Sequence, residues 1–503
     1  MLFRGWTAKP EKNRAGGLYR TKSLFLLCFL AFGGSFAANW STLDLKPYQA
    51  KMVTAVNIWQ KWTNRKPSSF LPTPQLDKGQ DLADLPAALP SAPVLGESER
   101  LERLTHNELL DDPMNRVNDE FNIPEGMRER VQFWFDIYTR HGRTTHVIHH
   151  TLYPWITYEI LDFSEAIQTG KGPEWLRIDR ANKYAKKRAR DIRAALARLA
   201  ANPGRRKNDL ERHLVEVLKV VPGSRKKVYR TAAGMLRTQL GQKDFFISGL
   251  RRSSRYLPYM EETFFNAGLP LDLTRMPFVE SSFNERAESK VGASGIWQVM
   301  PATGRAYGIV SEAIDERNSP LKATDMAARL LRSYRHALGS WPLAVTAYNH
   351  GIGNIEKAIR AARSRDLPTI IDRYHRGDFK FASSNFYACF LAALYAERYS
   401  EVAFPSVARE PALPHERFTI TQGGLRLKHL ADQGNLNMTK LLEQNLDLNR
   451  KYIRQISLPR GFVLHLPPGT SEYLPERLRA RLKPASHAPS KISENLKKSK
   501  SAG

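Results

Sequence analysis

Apolar residues recur at helical spacing through the middle of the chain and thin out towards its ends. Between 64 and 98 the pattern lapses, and Pro67, Pro72, Pro74, Pro86, Pro90 and Pro93 mark a linker. Val131, Phe133, Trp134, Phe135, Ile137 and Tyr138 then predict a helix near 124–140. Val147, Ile148, Leu152, Trp155 and Ile156 follow as an extended or mixed segment. Ile192, Ala195, Leu196 and Leu199 fall 3–4 apart and predict a helix over 185–199, broken by Pro203-Gly204. A second helix is expected over 209–220, ended by Pro222-Gly223, with further helices over 226–240 and 244–266. Residues 271–400 are helix-rich. There Thr324 reads as the N-cap of a helix from Met326 to Leu338 that Gly339 closes, and Phe386, Phe390, Leu391, Leu394 and Tyr395 predict an apolar helix over 386–399. Residues 417–467 read as strand-helix-helix-strand, and beyond Pro475 the polar, Lys/Ser-rich sequence predicts a disordered basic tail over 475–503. No internal repeat stands out.

A chain of 503 residues has room for two to four domains, and 42% hydrophobic residues suit packed cores. The formal net charge is +27, and the stretch from Lys171 to Arg255 alone holds 24 Lys+Arg against 7 Asp+Glu, or +17. Such a surface attracts polyanions, and solvated outer faces of amphipathic helices are its main explanation. The N-terminus selects among the polyanions. Lys22 precedes the apolar run Leu24 to Phe32, and Ser35-Phe36-Ala37 offers a cleavage site, so residues 1–37 read as a secretory signal peptide, with an uncleaved anchor as the alternative. The run is too short to span a bilayer, which needs about 20 apolar residues. Leu27 before Cys28 argues against lipidation. The expectation is an exported protein of the periplasm or outer envelope, with no nucleic-acid partner and a basic surface suited to peripheral envelope association. Only Cys389 would remain after cleavage, so no internal disulfide is expected.

The candidate chemistry lies in three blocks. Met276-Pro277-Phe278-Val279-Glu280-Ser281-Ser282-Phe283-Asn284 is followed by Gly292-Ala293-Ser294-Gly295-Ile296-Trp297-Gln298-Val299-Met300-Pro301 and then by Ala347-Tyr348-Asn349-His350-Gly351. Glu280 is the only carboxyl group in them. On a helix running from Leu271, Leu273, Met276 and Glu280 share one face, and a carboxyl on an apolar face has a raised pKa. If Pro277 instead starts a new helix, Glu280 falls in a first turn, where the dipole favours the charged form. Both readings stand at this level. Gly292 and Gly295 allow turns or close backbone approach, Trp297 reads as core, and Tyr348-Asn349 ends a helix from Trp341 with Gly351 near its C-cap.

In order and spacing the blocks resemble the lytic transglycosylases that cut peptidoglycan. The resemblance is strong over 245–400 and weaker from about 115 to 467. It implies a mainly α fold with a lysozyme-like helical catalytic domain over 245–405. Before it would stand the N-terminal segment and Pro-rich linker (38–99) and a helical basic region (100–244), and after it a small α/β module (415–470), either LysM-like and glycan-binding or a structural cap on the catalytic domain. It also implies cleavage of the β-1,4 bond between N-acetylmuramic acid and N-acetylglucosamine in glycan strands, without cofactor or metal, leaving 1,6-anhydro ends. A muramidase and a catalytically silent wall-binding protein are the alternatives. Carried over residue by residue, Glu280 is the catalytic acid, Ser281 orients its carboxyl, Gln298 bonds the glycan, Met300 adds an apolar wall, and Tyr348 and Asn349 face the cleft. The family commonly carries Glu-Thr-Arg-x-Tyr-Val where this chain has Ala382-Ser383-Ser384-Asn385-Phe386-Tyr387, which leaves Tyr387 beside the usual tyrosine position. Val299 replaces a usual phenylalanine.

Other constellations are weaker. His146 and His150 would share a helix face, but Thr144, Thr145, Val147 and Ile148 favour a strand. No Gly-x-Ser-x-Gly elbow or phosphate-binding Gly loop occurs.

Overall fold

A computed structural model describes residues 101, 103–375 and 379–485. The expected signal peptide (1–37), the expected N-terminal segment and Pro-rich linker (38–99) and residues 486–503 of the expected tail lie outside the described residues. Among the described residues no helix is long and apolar enough to cross a membrane.

The basic region is not purely helical. Helix α1 (Arg128–Thr139) leads into strands β1 (Thr145–His150) and β2 (Thr157–Asp162), and helices α2 (Ser164–Thr169), α3 (Glu174–Ala201), α4 (Asp209–Val217) and α5 (Arg225–Gly234) follow. The helix expected over 226–240 stops at Gly234, and Leu236–Leu240 is strand β3. The antiparallel order β2-β1-β3 makes β1 the central strand, fitting its β-branched residues. Pairing with β1 supplies the backbone partners that draw 236–240 out of the helix. Ile148 and Tyr158 pack with Ile192, Leu196 and Leu199 of α3 and with Leu214, Val228 and Tyr229. The opposite face of α3 exposes Lys183, Lys186, Lys187 and Arg190, so much of the excess charge lies on solvated helix faces.

The helical body comprises α6 (Lys243–Ser253), α7 (Leu257–Asn266), a 3-10 turn (Leu271–Arg275), α8 (Met276–Glu280), α9 (Pro301–Tyr307), α10 (Pro320–Leu338), α11 (Trp341–His350), α12 (Ile352–Ala362), α13 (Leu367–Arg373), α14 (Phe381–Arg398) and α15 (Ser400–Ala403). The single helix expected over 244–266 divides between α6 and α7. Helix α10 also starts earlier than its cap signal suggested. Ser319 accepts from the Lys322 amide as N-cap, while Thr324 lies buried one turn in, its hydroxyl donating to Pro320 O. Gly339, at φ 82°, closes it as expected. Helix α14 is apolar on nearly every side and is the centre of the body, packed by α1, α8 and α11.

The C-terminal module has β4 (Glu416–Ile420), β5 (Leu425–Arg426), α16 (Leu427–Gln433), α17 (Met438–Gln444), β6 (Ser457–Leu458), β7 (Val463–Leu466), α18 (Thr470–Tyr473), α19 (Glu476–Arg479) and β8 (Leu482–Pro484). Its sheet order is β7-β4-β8. The tail expected from 475 therefore begins too early: Leu478 and Leu482 are buried in the module core and β8 pairs with β4. The module is bolted to the helical body. Lys322 Nζ of α10 lies 2.6 Å from Asp447 Oδ2 and 3.1 Å from Glu316 Oε1, and 3.4 Å from the centroid of the Phe462 ring. The Asp315 amide donates to Asp447 O at 2.8 Å.

Removing Lys322 would strand two enclosed carboxylates. Lys322→Met is expected to destabilise the protein by about 3–5 kcal/mol. A urea titration against wild type checks this, and a loss below 1 kcal/mol would show that the bolt is dispensable.

Candidate active site

Pro277 decides how Glu280 is presented. It lacks an N–H and is tolerated only in a first turn, so the 3-10 turn Leu271–Arg275 ends and α8 begins beside it. Arg275 anchors this junction. Its Nε lies 2.9 Å from Glu397 Oε2 of α14, and its Nη1 also bonds Glu261. Beyond Glu280 the chain turns sharply, with Ser282 at φ 49° and Phe283 at φ 54°. Two successive left-handed side-chain-bearing residues are costly. Arg252 offsets this by donating to Ser282 O (2.6 Å) and Phe283 O (3.0 Å).

Glu280 is thus the last residue of a five-residue helix, 5% exposed. Burial pushes its pKa up to about 8. Of the two sequence readings the break at Pro277 is the one formed, yet desolvation governs the charge. Glu280 sits at the C-terminal end of the turn, where the dipole gives its anion no support. Ser281 does not orient the carboxyl as expected: its hydroxyl donates to Ile296 O at 2.8 Å, so its one proton is committed to the backbone.

Glu280 opens on a cavity shared with Val279, Asn349, Phe381, Ala382, Asn385, Phe386 and Cys389, and with Trp134, Tyr138, Arg237, Gln239 and Gln242 from the preceding region. Glu280 is the only carboxyl group among these lining residues. The nearby acids are engaged elsewhere: Asp272 with Arg398, Glu285 with Arg255 and Tyr256, Asp315 with Arg317, and Glu316 with Lys322. Glu288 is exposed.

The other expected residues divide. Tyr348 lies near Glu280, whose charge adds to burial in raising the phenol pKa, and its hydroxyl donates to Trp297 O at 2.8 Å. Asn349 lines the cavity and accepts from Ser383 Oγ at 3.4 Å. Gln298 is buried at φ 48°, and its Nε2 donates to Ala287 O (3.1 Å) and Gly295 O (2.9 Å). Its amide hydrogens thus brace the loop. Met300, 42% exposed, precedes α9 and does not line the Glu280 cavity. Tyr387 is a correction. Phe386 faces the cavity, and one helical step turns Tyr387 into the core, 1% exposed, with no partner for its hydroxyl. Trp297 is core, donating to Thr324 Oγ1 at 2.9 Å. Gly295 has no substitute: at φ 75°, a Cβ there would meet Arg317 O at 2.0 Å. His146, His149 and His150 sit in β1, where the His150 ring nitrogen accepts from the Leu152 and Tyr153 amides.

Sequence reasoning missed the wall formed by Trp134, Tyr138, Arg237, Gln239 and Gln242. The pair Trp134 and Tyr138, four apart on α1, was visible as an aromatic face. Nothing local marked the others, which arrive through β3 pairing. A second cleft, of about 550 Å³, is lined by the C-terminal module alone and includes Lys428, Arg450, Lys451 and Arg454.

With this geometry in view, residues 269–370 match the family model of the transglycosylase SLT domain. The matched residues run from Leu269 into α13 and so include α8 with Glu280. Among curated proteins the chain is similar to membrane-bound lytic murein transglycosylase D of Escherichia coli strain K12, at 32% identity over 132 residues. It is equally similar to the same-named protein of Escherichia coli O6:H1. Each match covers 26% of this chain and 29% of the relative, so the chain spans less than a third of the length of either.

The raised pKa has a stability consequence. Between about pH 4.5 and 8 the folded protein holds a proton on Glu280 that the unfolded chain has lost, so stability falls as pH rises through that window. Glu280→Gln escapes this loss. It is expected to exceed wild type in stability by about 3 kcal/mol at pH 7 and to converge with it near pH 4. Urea unfolding at the two pH values tests this, and equal stability at pH 7 would contradict a neutral buried carboxyl.

Proposed function

We propose that the protein is a peptidoglycan lytic transglycosylase, cutting the β-1,4 bond between N-acetylmuramic acid and N-acetylglucosamine and leaving 1,6-anhydro ends. One observation carries the reading: the cavity offers a single carboxyl group, desolvated and neutral near pH 7. Ordinary glycosidases pair two carboxyls, one as acid and the other as base or nucleophile. A lone Glu280 must serve twice. As the acid it protonates the glycosidic oxygen, and the bond breaks to an oxocarbenium-like or acetamido-stabilised sugar. As the resulting carboxylate it takes the proton of the muramoyl 6-hydroxyl, whose oxygen closes on C1. That hydroxyl is tethered to the same ring and so has a large advantage over water. The match to the transglycosylase SLT domain and the similarity to two murein transglycosylases support the same chemistry.

The glycan strand is then the substrate and the cell envelope the site of action, with 1–37 serving as export signal. The C-terminal module, read as LysM-like, supplies a second glycan contact through its own cleft.

Glu280→Gln is expected to lower release of soluble fragments from purified sacculi at least ~100-fold. Activity within a few-fold of wild type would remove Glu280 from the reaction. Mass spectrometry of the wild-type digest tests the product: anhydro-muropeptides are one water lighter than hydrolytic ones. A digest made mostly of reducing-end muropeptides would establish a muramidase instead, and no fragments at all a binding protein.

A further inference from the structure

The cavity that holds Glu280 also holds one cation, Arg237. Strand β3 brings it there, and its guanidinium carbon stacks 4.2 Å from the centroid of the Phe381 ring. Its Nε is enclosed without a hydrogen-bond partner, and among the described residues no carboxylate pairs with it. Burial lowers its pKa, with no acid opposing the shift. The group facing it across the ladder, His149, is itself held neutral by burial and offers no negative charge. No ion pair joins Arg237 to Glu280. A cation in this position is costly unless something else supplies its partner.

We propose that Arg237 determines specificity by engaging a carboxylate of the substrate strand, seated in the cavity beside the bond that Glu280 attacks. The inference rests on the glycan strand being the substrate. Three observations favour this. Guanidinium binds carboxylate through a matched pair of N–H donors, and stacking on Phe381 holds its plane fixed. The amide groups of Gln239 and Asn385 donate to Leu240 O and Phe381 O, and Arg237 is the one charged donor among the lining residues. The cavity is small, about 70 Å³, which suits a carboxylate-sized substituent. A murein strand carries carboxylates of two kinds that such a pocket could admit: the free lactyl group of a peptide-stripped muramoyl residue, and the carboxylates of the stem peptide.

The test measures binding by full-length Glu280→Gln, which holds strands without turning them over, and by the double variant that adds Arg237→Gln. Three ligands are compared: peptide-free strands, peptide-bearing strands and neutral chitotetraose. The added substitution is expected to weaken binding of one charged strand by roughly tenfold to hundredfold, and of chitotetraose by less than about threefold. Selective loss on peptide-free strands identifies the lactyl carboxylate, and selective loss on peptide-bearing strands the stem peptide. Equal loss on all three ligands, or loss on none, overturns the proposal. A further arm needs no Arg237 variant: amidating the strand carboxylates must weaken binding to Glu280→Gln by a similar factor, and unchanged binding also overturns it. Wild-type digestion is scored separately for anhydro ends, so a missing transglycosylase product is distinguishable from missing charge selectivity.

Discussion

An ionisable carboxyl buried without a counter-charge is the constraint around which the helical body is arranged. Such a group stays protonated unless a cation pairs with it, and among the described residues no ion pair reaches Glu280, although Arg237 lines the same cavity. Pro277 limits α8 to one turn, so the carboxyl emerges at a helix end that gives its anion no support. Ser281, the adjacent hydroxyl, is turned towards Ile296 O. Each nearby acid is matched with its own cation or faces solvent, which keeps both charges and their counterions away from Glu280. The ion pair of Arg275 and Glu397 fixes the junction from beneath, where movement of α8 would reopen the site to water.

The wall opposite Glu280 belongs to the region that the sequence presents mainly as a store of positive charge. Asn385 is the joint. Its Oδ1 accepts from Arg130 Nη1 (3.0 Å) and Trp134 Nε1 (3.1 Å) of α1, and its Nδ2 donates to Phe381 O (2.7 Å). Asn385, at the unconstrained position of the family pattern over 382–387, thus ties α14 to α1. The β3 strand then completes the wall through ladder bonds to β1. The region's basic helices and its cavity-facing strand do different work: the helices carry solvated charge, and the strand brings one half-buried cation to the cavity.

Much of the architecture was legible because it depends on local periodicity. The second half of the long basic helix, the break at Pro203-Gly204, the Gly339 cap and the mixed segment after α1 follow from spacing and punctuation alone, whereas the helix itself begins at Glu174, eleven residues before the start expected at 185. What failed depends on partners distant in sequence. Residues 236–240 have no strong strand signature, and only pairing with β1 separates them from α5. Thr324 has a capping side chain, but Ser319 precedes Pro320 and captures the helix start. The tail beyond 475 is polar overall, yet Leu478 and Leu482 suffice to dock β8. At the site the residue identity of Glu280 was readable, whereas orientation was not: a hydroxyl has one proton, and Ile296 O, fifteen residues on, determines where that of Ser281 points. Tyr387 failed by one helical step, which separates cavity from core.

A single group that must both give and receive a proton is best served by a pKa close to the working pH. A carboxyl left in water would be almost entirely ionised at pH 7 and unable to donate, whereas one raised far above that would stay protonated even after the leaving group had gone. At about 8, most Glu280 is neutral at pH 7, and in the proposed reaction its conjugate base would be several powers of ten stronger than an ordinary carboxylate. That strength suits removal of a proton from an alcohol, which an ordinary carboxylate does poorly. Desolvation supplies both properties from one cause. A hydrogen bond from Ser281 to the carboxylate would stabilise the anion and weaken both, so the commitment of that proton to Ile296 O is consistent with Glu280 acting alone.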